Sequence, residues 1–277
     1  MRIQLMCAVS LGLALTTACS TPAAPDGLTA AGSTGTIVNG APTGAASFRN
    51  VGALLMDFDA NGALNGDDLL CSGSLISPTV FLTAAHCLSF LSPGATLYVT
   101  FAPDLNAPGI ATMTATGFAI DPLRGRHGDP IDIGVVNVPA GSTAGITPVG
   151  LPPLGLLDGL AARGGLRRQD FVNVGYGADA SRTGRPALSY GGVREMSLSP
   201  FKSLEPFFLG LLMTEAATGK GGDCYGDSGS PKFIAGNTSM IVATVSWGDA
   251  PCRSLSKNYR LDTPSARSFL GRHVPLS

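Results

Sequence analysis

An all-β fold is predicted for this chain by three features of its composition. Its 277 residues include 37 glycines and 20 prolines, and such frequent punctuation favours many short strands over long helices. Hydrophobic residues make up 44% of the chain and charged residues 13%, against about 25% charged in an ordinary soluble domain, so apolar stretches are plentiful. Those stretches are short and bounded by turn residues, which reads as a succession of strands. The length allows one large or two modest cores. A formal net charge of −1 leaves no electrostatic footprint for nucleic acid, and no nucleic-acid partner is expected.

Met1-Arg2 and the mainly apolar run 3–15 read as an export signal over residues 1–18. A membrane-spanning helix would need about 20 apolar residues. The run ends in Leu15-Thr16-Thr17-Ala18-Cys19-Ser20, which resembles a bacterial lipobox, and Cys19 is then the expected lipidation and membrane-attachment site. Ordinary signal cleavage near Ala18 or Ala23 is the alternative. Residues 19–36, rich in Pro, Ala, Gly, Ser and Thr, form a low-complexity tether or propeptide. The chain is therefore expected to be exported, either secreted or lipid-anchored at a bacterial envelope.

From residue 37 the character changes. Ile37-Val38-Asn39-Gly40 is abruptly apolar and closes on a turn. Strands are predicted over 51–58 and 69–76, joined by a loop 57–68 whose aspartates and asparagines stand at calcium-loop-like positions. Its last position is Asp68 rather than Glu, and strands flank it, so a polar hairpin with an Asn-Gly turn is preferred and no metal or other cofactor is expected. Further strands are predicted over 96–101, 111–118 and 131–138, then a Pro/Gly/Leu-rich connection over 150–168. The second half offers strands over 171–176, 193–198, 209–214, 230–235 and 240–247. Asp262-Thr263-Pro264-Ser265 leads into a C-terminal helix over 266–270, with Asp or Thr as N-cap and Pro in the first turn. Of six cysteines, Cys7 and Cys19 lie in the leader, leaving Cys71, Cys87, Cys224 and Cys252 in an oxidising setting that favours disulfides. Spacing alone leaves three pairings open. Zinc finds no CxxC pair or histidine cluster.

The chemistry centres on Gly226-Asp227-Ser228-Gly229-Ser230-Pro231, where small residues let the backbone bend and present the Ser228 hydroxyl. Serine is a poor nucleophile without a base. The chain has three histidines, His86, His127 and His273. His86 stands in Leu82-Thr83-Ala84-Ala85-His86-Cys87, an apolar strand end running into a cysteine. An acid must orient the base, and Asp132 in Pro130-Ile131-Asp132-Ile133 is the best candidate, because a carboxylate among isoleucines needs a partner. Asp129 is the weaker one.

Together these stretches, with Ile37-Val38-Asn39-Gly40 and Cys71-Ser72-Gly73-Ser74-Leu75-Ile76, resemble the trypsin/chymotrypsin-like serine proteases. The resemblance implies two antiparallel six-stranded β-barrels with a C-terminal helix, over residues 37–277, with halves at about 37–150 and 165–262. It implies a His86–Asp132–Ser228 triad hydrolysing peptide bonds through an acyl-enzyme, and an oxyanion hole from the N–H groups of Gly226 and Ser228. It further implies disulfides Cys71–Cys87 and Cys224–Cys252, and a zymogen whose new Ile37 ammonium pairs with Asp227. Thr36 precedes that bond, so a trypsin-like activator is not expected. A substrate pocket is implied from Gly222, Asp223, Tyr225, Ser246, Trp247, Gly248 and Lys257, with Asp223 and Lys257 expected to pair. The expected partner is a protein or peptide substrate, and the expected state a monomer. Two other readings stay open. One is a protease fold kept as a silent binding module. The other is an esterase-type hydrolase using His273 with Asp249 or Asp262. His127, in a Gly/Arg loop, is expected to be solvated.

Overall fold

The short apolar runs become strands of two antiparallel sheets in a computed structural model that describes residues 37–180 and 188–276. The export signal, the tether and Cys19 lie outside the described residues. After a two-residue strand β1 (Ala41–Pro42), the first half is built from β2 (Val51–Leu55), β3 (Leu69–Ser77), β4 (Val80–Thr83), β5 (Tyr98–Thr100), β6 (Thr112–Thr114), β7 (Gly117–Ile120) and β8 (Gly134–Asn137). They form one curled sheet in the order β6-β5-β2-β3-β4-β8-β7. The predicted strand over 111–118 is thus two. At the break, Ala115 N donates to Leu97 O at 2.8 Å and Thr116 N to Asn137 O at 2.8 Å. The chain therefore bends between β6 and β7 and changes partners, which curls the sheet around its core.

The second half contains β9 (Asp170–Gly175), a small hairpin of β10 (Asp179–Ala180) and β11 (Leu188–Ser189), then β12 (Glu195–Leu204), β13 (Phe208–Leu212), β14 (Pro231–Ile234), β15 (Asn237–Gly248) and β16 (Leu255–Arg260). The order β12-β13-β16-β15-β14-β9, with β9 also paired to β12, closes a six-stranded barrel. Closure removes the exposed edges that an open sheet would present. Inside it, Phe171, Leu209, Leu211 and Val242 share one apolar cluster.

Among the described residues, three short α-helices accompany the strands: α1 (Leu156–Ala162), α2 (Glu215–Thr218) and α3 (Pro264–Leu270). Helix α3 starts as expected, with Thr263 as N-cap accepting from Ala266 N at 3.2 Å and Pro in the first turn. Helix α1 lies inside what reads from sequence as a bare connection. It carries an internal Gly159 and has no side-chain cap of its own. Distant partners supply what it lacks: Asp262 Oδ2 accepts from Leu157 N at 2.7 Å, and Leu157 is fully buried. Tertiary contacts override weak local propensity here.

The two halves share a core in which Val51, Leu82 and Ile133 meet Val174, Phe233 and Ile241. Arg194, with 0% exposure, ties them further by donating to Val51 O at 3.0 Å and Ser47 O at 2.9 Å. The site forms along this seam.

Candidate active site

Each candidate catalytic side chain leaves the end of a strand at the seam. His86 sits on the single turn Ala85–Cys87 that follows β4, and the turn is tied back to β3 by the Cys71–Cys87 disulfide. Asp132 precedes β8 and is buried between Ile131 and Ile133. The turn before it is tight: Ile131 has φ +38° and its N–H donates to Asp129 Oδ1 at 2.9 Å. Ser228 stands between Gly226 (φ +96°) and Gly229 (φ +81°), both in the left-handed region that glycine adopts without penalty. A Cβ on Gly229 would lie 2.3 Å from Thr83 Oγ1 and 2.5 Å from Ala84 N. Only glycine lets the serine turn approach the strand leading to His86 so closely.

The three meet. His86 Nδ1 lies 2.8 Å from Asp132 Oδ2, and His86 Nε2 lies 2.8 Å from Ser228 Oγ. A carboxylate can only accept, so the ring proton belongs on Nδ1 and the Nε2 lone pair faces the serine hydroxyl. Asp132 also accepts from His86 N at 2.9 Å and from Ser246 Oγ at 2.5 Å, with Arg124 Nη2 at 3.4 Å. Burial pushes its carboxyl upward, but the bonds and charge of His86 and the Ser246 hydroxyl outweigh that and hold it below the usual carboxylate range. Asp129 instead holds Tyr259 OH at 3.0 Å and bonds Ser265, so it supports the turn rather than the base.

Part of the serine loop's backbone is already bonded. Asp227 N, Gly229 N and Ser230 N donate to Cys224 O, Val245 O and Asp227 O. The N–H groups of Gly226 and Ser228 have no protein acceptor among the described residues and so remain available to an oxyanion.

The expected contact between Ile37 and Asp227 is not formed in this uncleaved chain. Ile37 is fully buried and Val38 bridges Gly222, but Ile37 N donates to Glu195 Oε2 at 3.0 Å. Still acylated by Thr36, that nitrogen is a neutral amide with one proton to give, and has no charge to offer Asp227. Asp227 is fully buried and accepts from Gly177 N and Cys224 N, each at 2.9 Å. Burial, then the nearby Asp223 charge, push its carboxyl up to about 8 against the pull of those N–H groups and Lys232.

Beside Ser228 opens a cavity of 290 Å³ whose lining includes Asp223, Tyr225, Ser246, Trp247 and Gly248. The Cys224–Cys252 disulfide forms part of its wall. Two expectations are corrected. Gly222 is not in the lining: it pairs with Val38, and a Cβ there would lie 2.3 Å from Met213 Cγ, so Met213 covers it. Lys257 does not pair with Asp223. On β16 alternate residues face opposite sides; Ser256 faces the cavity, and Lys257, on the other side, bonds Glu205. Asp223 binds Lys232 Nζ at 2.5 Å instead. Met213, Ser256 and Lys232 carry no motif signal, and sequence reading missed them.

The other candidates fall elsewhere. The carboxylate oxygens of Asp57, Asp59 and Asp68 come within 4.8 Å of one another, and the loop's own N–H groups bond them. His273 lies on the Phe269 ring at 4.9 Å. Asp262 is taken by Arg260 and Leu157 N, and Asp249 by the N–H groups of Arg253, Ser254 and Leu255. The alternative serine–aspartate–histidine order thus has no assembled partners. The side chain of His127 lies outside those described.

A family model described as Trypsin matches residues 37–269. Among solved structures, human heparin binding protein is 19% identical with a TM-score of 0.59, covering 86% of this chain and 96% of that one. A structure named HL collagenase is 16% identical, TM-score 0.62, covering 87% and 100%. The Vibrio cholerae VesB protease is 19% identical, TM-score 0.60, covering 86% and 67%. At such identities the structural likeness speaks for the fold.

Proposed function

The chain belongs to the trypsin family, and from that premise we propose that it is a serine endopeptidase acting through His86, Asp132 and Ser228. The observation that carries the reading is the imidazole held between carboxylate and hydroxyl, 2.8 Å from each. His86 Nε2 takes the Ser228 proton as Oγ attacks the substrate carbonyl. The oxyanion that forms is met by the N–H groups of Gly226 and Ser228, each worth about 3–4 kcal/mol in this role. The imidazolium, stabilised by Asp132, then protonates the leaving amine, and water repeats the sequence on the acyl-enzyme. Cleavage after Thr36 gives Ile37 an ammonium, which pairs with Asp227 in the mature enzyme.

Two disulfides support an oxidising, extracytoplasmic location. Residues 1–18 direct export, and a lipid on Cys19 anchors the enzyme to the envelope. Labelling with a palmitate analogue, lost in Cys19→Ala, tests the anchor.

The activity is tested with a fluorophosphonate probe on protein whose N-terminus has been sequenced as Ile37. Labelling, absent in Ser228→Ala, together with peptide hydrolysis is the expected result. A matured chain that neither labels nor hydrolyses would be a binding module with a silent site, and the endopeptidase reading would be wrong.

A further inference from the structure

The cavity beside Ser228 holds a carboxylate whose charge is answered from within the protein. Asp223 lines the cavity and is 3% exposed. Its Oδ1 accepts from Lys232 Nζ at 2.5 Å and its Oδ2 from Ser256 Oγ at 2.7 Å. Lys232 stands on β14 with 0% exposure and is not part of the cavity lining, so its ammonium reaches Asp223 from behind the wall. Much of the remaining wall is apolar, from Met213, Val245 and the Cys224–Cys252 disulfide. The other acid in the lining, Asp249, is held by three backbone N–H groups. Asp227, beyond the wall, is bonded by Gly177 N and Cys224 N.

We propose that the internal Lys232–Asp223 pair makes this cavity a site for an uncharged, apolar side chain on the acyl side of the scissile bond, such as leucine, methionine or phenylalanine, and bars arginine and lysine. The proposal rests on the endopeptidase reading and names its substrate class. A cationic side chain entering the cavity leaves water and is compensated only by a matching charge or bonds. Here it meets a pair that is already neutral. A cation bonding Asp223 would share its oxygens with the Ser256 hydroxyl and face the Lys232 ammonium at short range. An apolar side chain meets no such cost and gains contact with Met213 and the disulfide.

The test is a peptide library varied at the acyl-side residue, cleaved by matured enzyme counted with the fluorophosphonate probe. Apolar residues are expected to exceed arginine in kcat/KM by at least about tenfold, the range that pocket contacts can supply. Lys232→Met leaves the Asp223 charge unanswered and is expected to raise the arginine-to-leucine ratio by at least about tenfold. The double variant Lys232→Met/Asp223→Asn restores neutrality and returns the preference to leucine. Calorimetry with benzamidinium on Ser228→Ala protein needs neither turnover nor an altered pair, and is expected to show no saturation below about 1 mM. Arginine preference in the unaltered enzyme, tight benzamidinium binding, or a folded Lys232→Met enzyme with an unchanged ratio would each overturn the proposal. Failure of matured enzyme to label would instead strike the endopeptidase reading, and the calorimetry would still decide whether the cavity rejects a cation.

Discussion

The uncleaved chain should lose stability as pH rises, because of Asp227. This carboxyl is fully buried and its pKa stands at about 8 against an ordinary 3.8. The folded chain therefore holds the Asp227 proton more tightly than the unfolded chain does. Its contribution is fully present below 3.8 and is lost as pH rises towards about 8. Each pH unit inside that window costs up to about 1.4 kcal/mol, or on the order of 3 kcal/mol between about pH 5 and about pH 7.5. The perturbation is Asp227→Asn, made in Ser228→Ala protein so that the precursor cannot cut itself. Urea denaturation followed by circular dichroism at the two pH values gives the stability difference between the chain that keeps Asp227 and the Asp227→Asn variant. The absolute value mixes in the amide's poorer fit to two N–H donors, but its change with pH isolates the titration. The chain that keeps Asp227 is expected to lose ground to the variant by that order as pH rises. A difference that stays constant, or shifts in favour of Asp227, would refute the reasoning.

Three further outcomes are expected. Ser246→Ala removes the 2.5 Å bond to Asp132; a hydrogen bond to a charged group contributes about 1.5–3 kcal/mol, so kcat should fall on the order of tenfold with KM little changed in steady-state kinetics. Gly229→Ala places a methyl 2.3 Å from Thr83 Oγ1 at φ +81°; left-handed strain and overpacking together should cost about 3 kcal/mol or more in chemical denaturation and abolish turnover. Ser230 is fully buried and its Oγ has no partner among the described residues; Ser230→Ala should stabilise the fold by about 1 kcal/mol in the same assay, with kcat/KM unchanged.

That His86, Asp132 and Ser228 would be drawn together was legible because they stand in short, compositionally unusual stretches: Ser228 among glycines, His86 against a cysteine, Asp132 between isoleucines. Such residues are set by local chemistry, and the strands around them needed only the period of their apolar runs. What escaped was set by register and by distant partners. The expectation that Lys257 lines the pocket failed because sequence position cannot show which side of β16 a residue faces, and that alternation gave the pocket to Ser256. Lys232, in an apolar stretch, reads as a misplaced surface cation until Asp223 is seen beside it. Helix α1 was hidden for a similar reason, since Asp262, far along the chain, provides its cap.

On the proposed reading, the buried charges behind the cavity link specificity to maturation. Asp223 and Asp227 are both buried, and Lys232 acts electrostatically on both while bonding only Asp223. In the uncleaved chain this leaves two carboxyls to one ammonium, and Asp227 responds by keeping its proton at neutral pH. The proposed Ile37 ammonium supplies the second cation, and Ile37 is already buried and Val38 already paired with Gly222. What must change is the partner of one nitrogen, from Glu195 to Asp227. Cleavage should therefore flatten the fall in stability with pH that is expected of the uncleaved chain. A cut chain beginning at Ile37, with Ser228→Ala to hold it intact, tests this in the same denaturation series. A slope identical to that of the precursor would mean that the new terminus stays on Glu195 and that Asp227 matures without it.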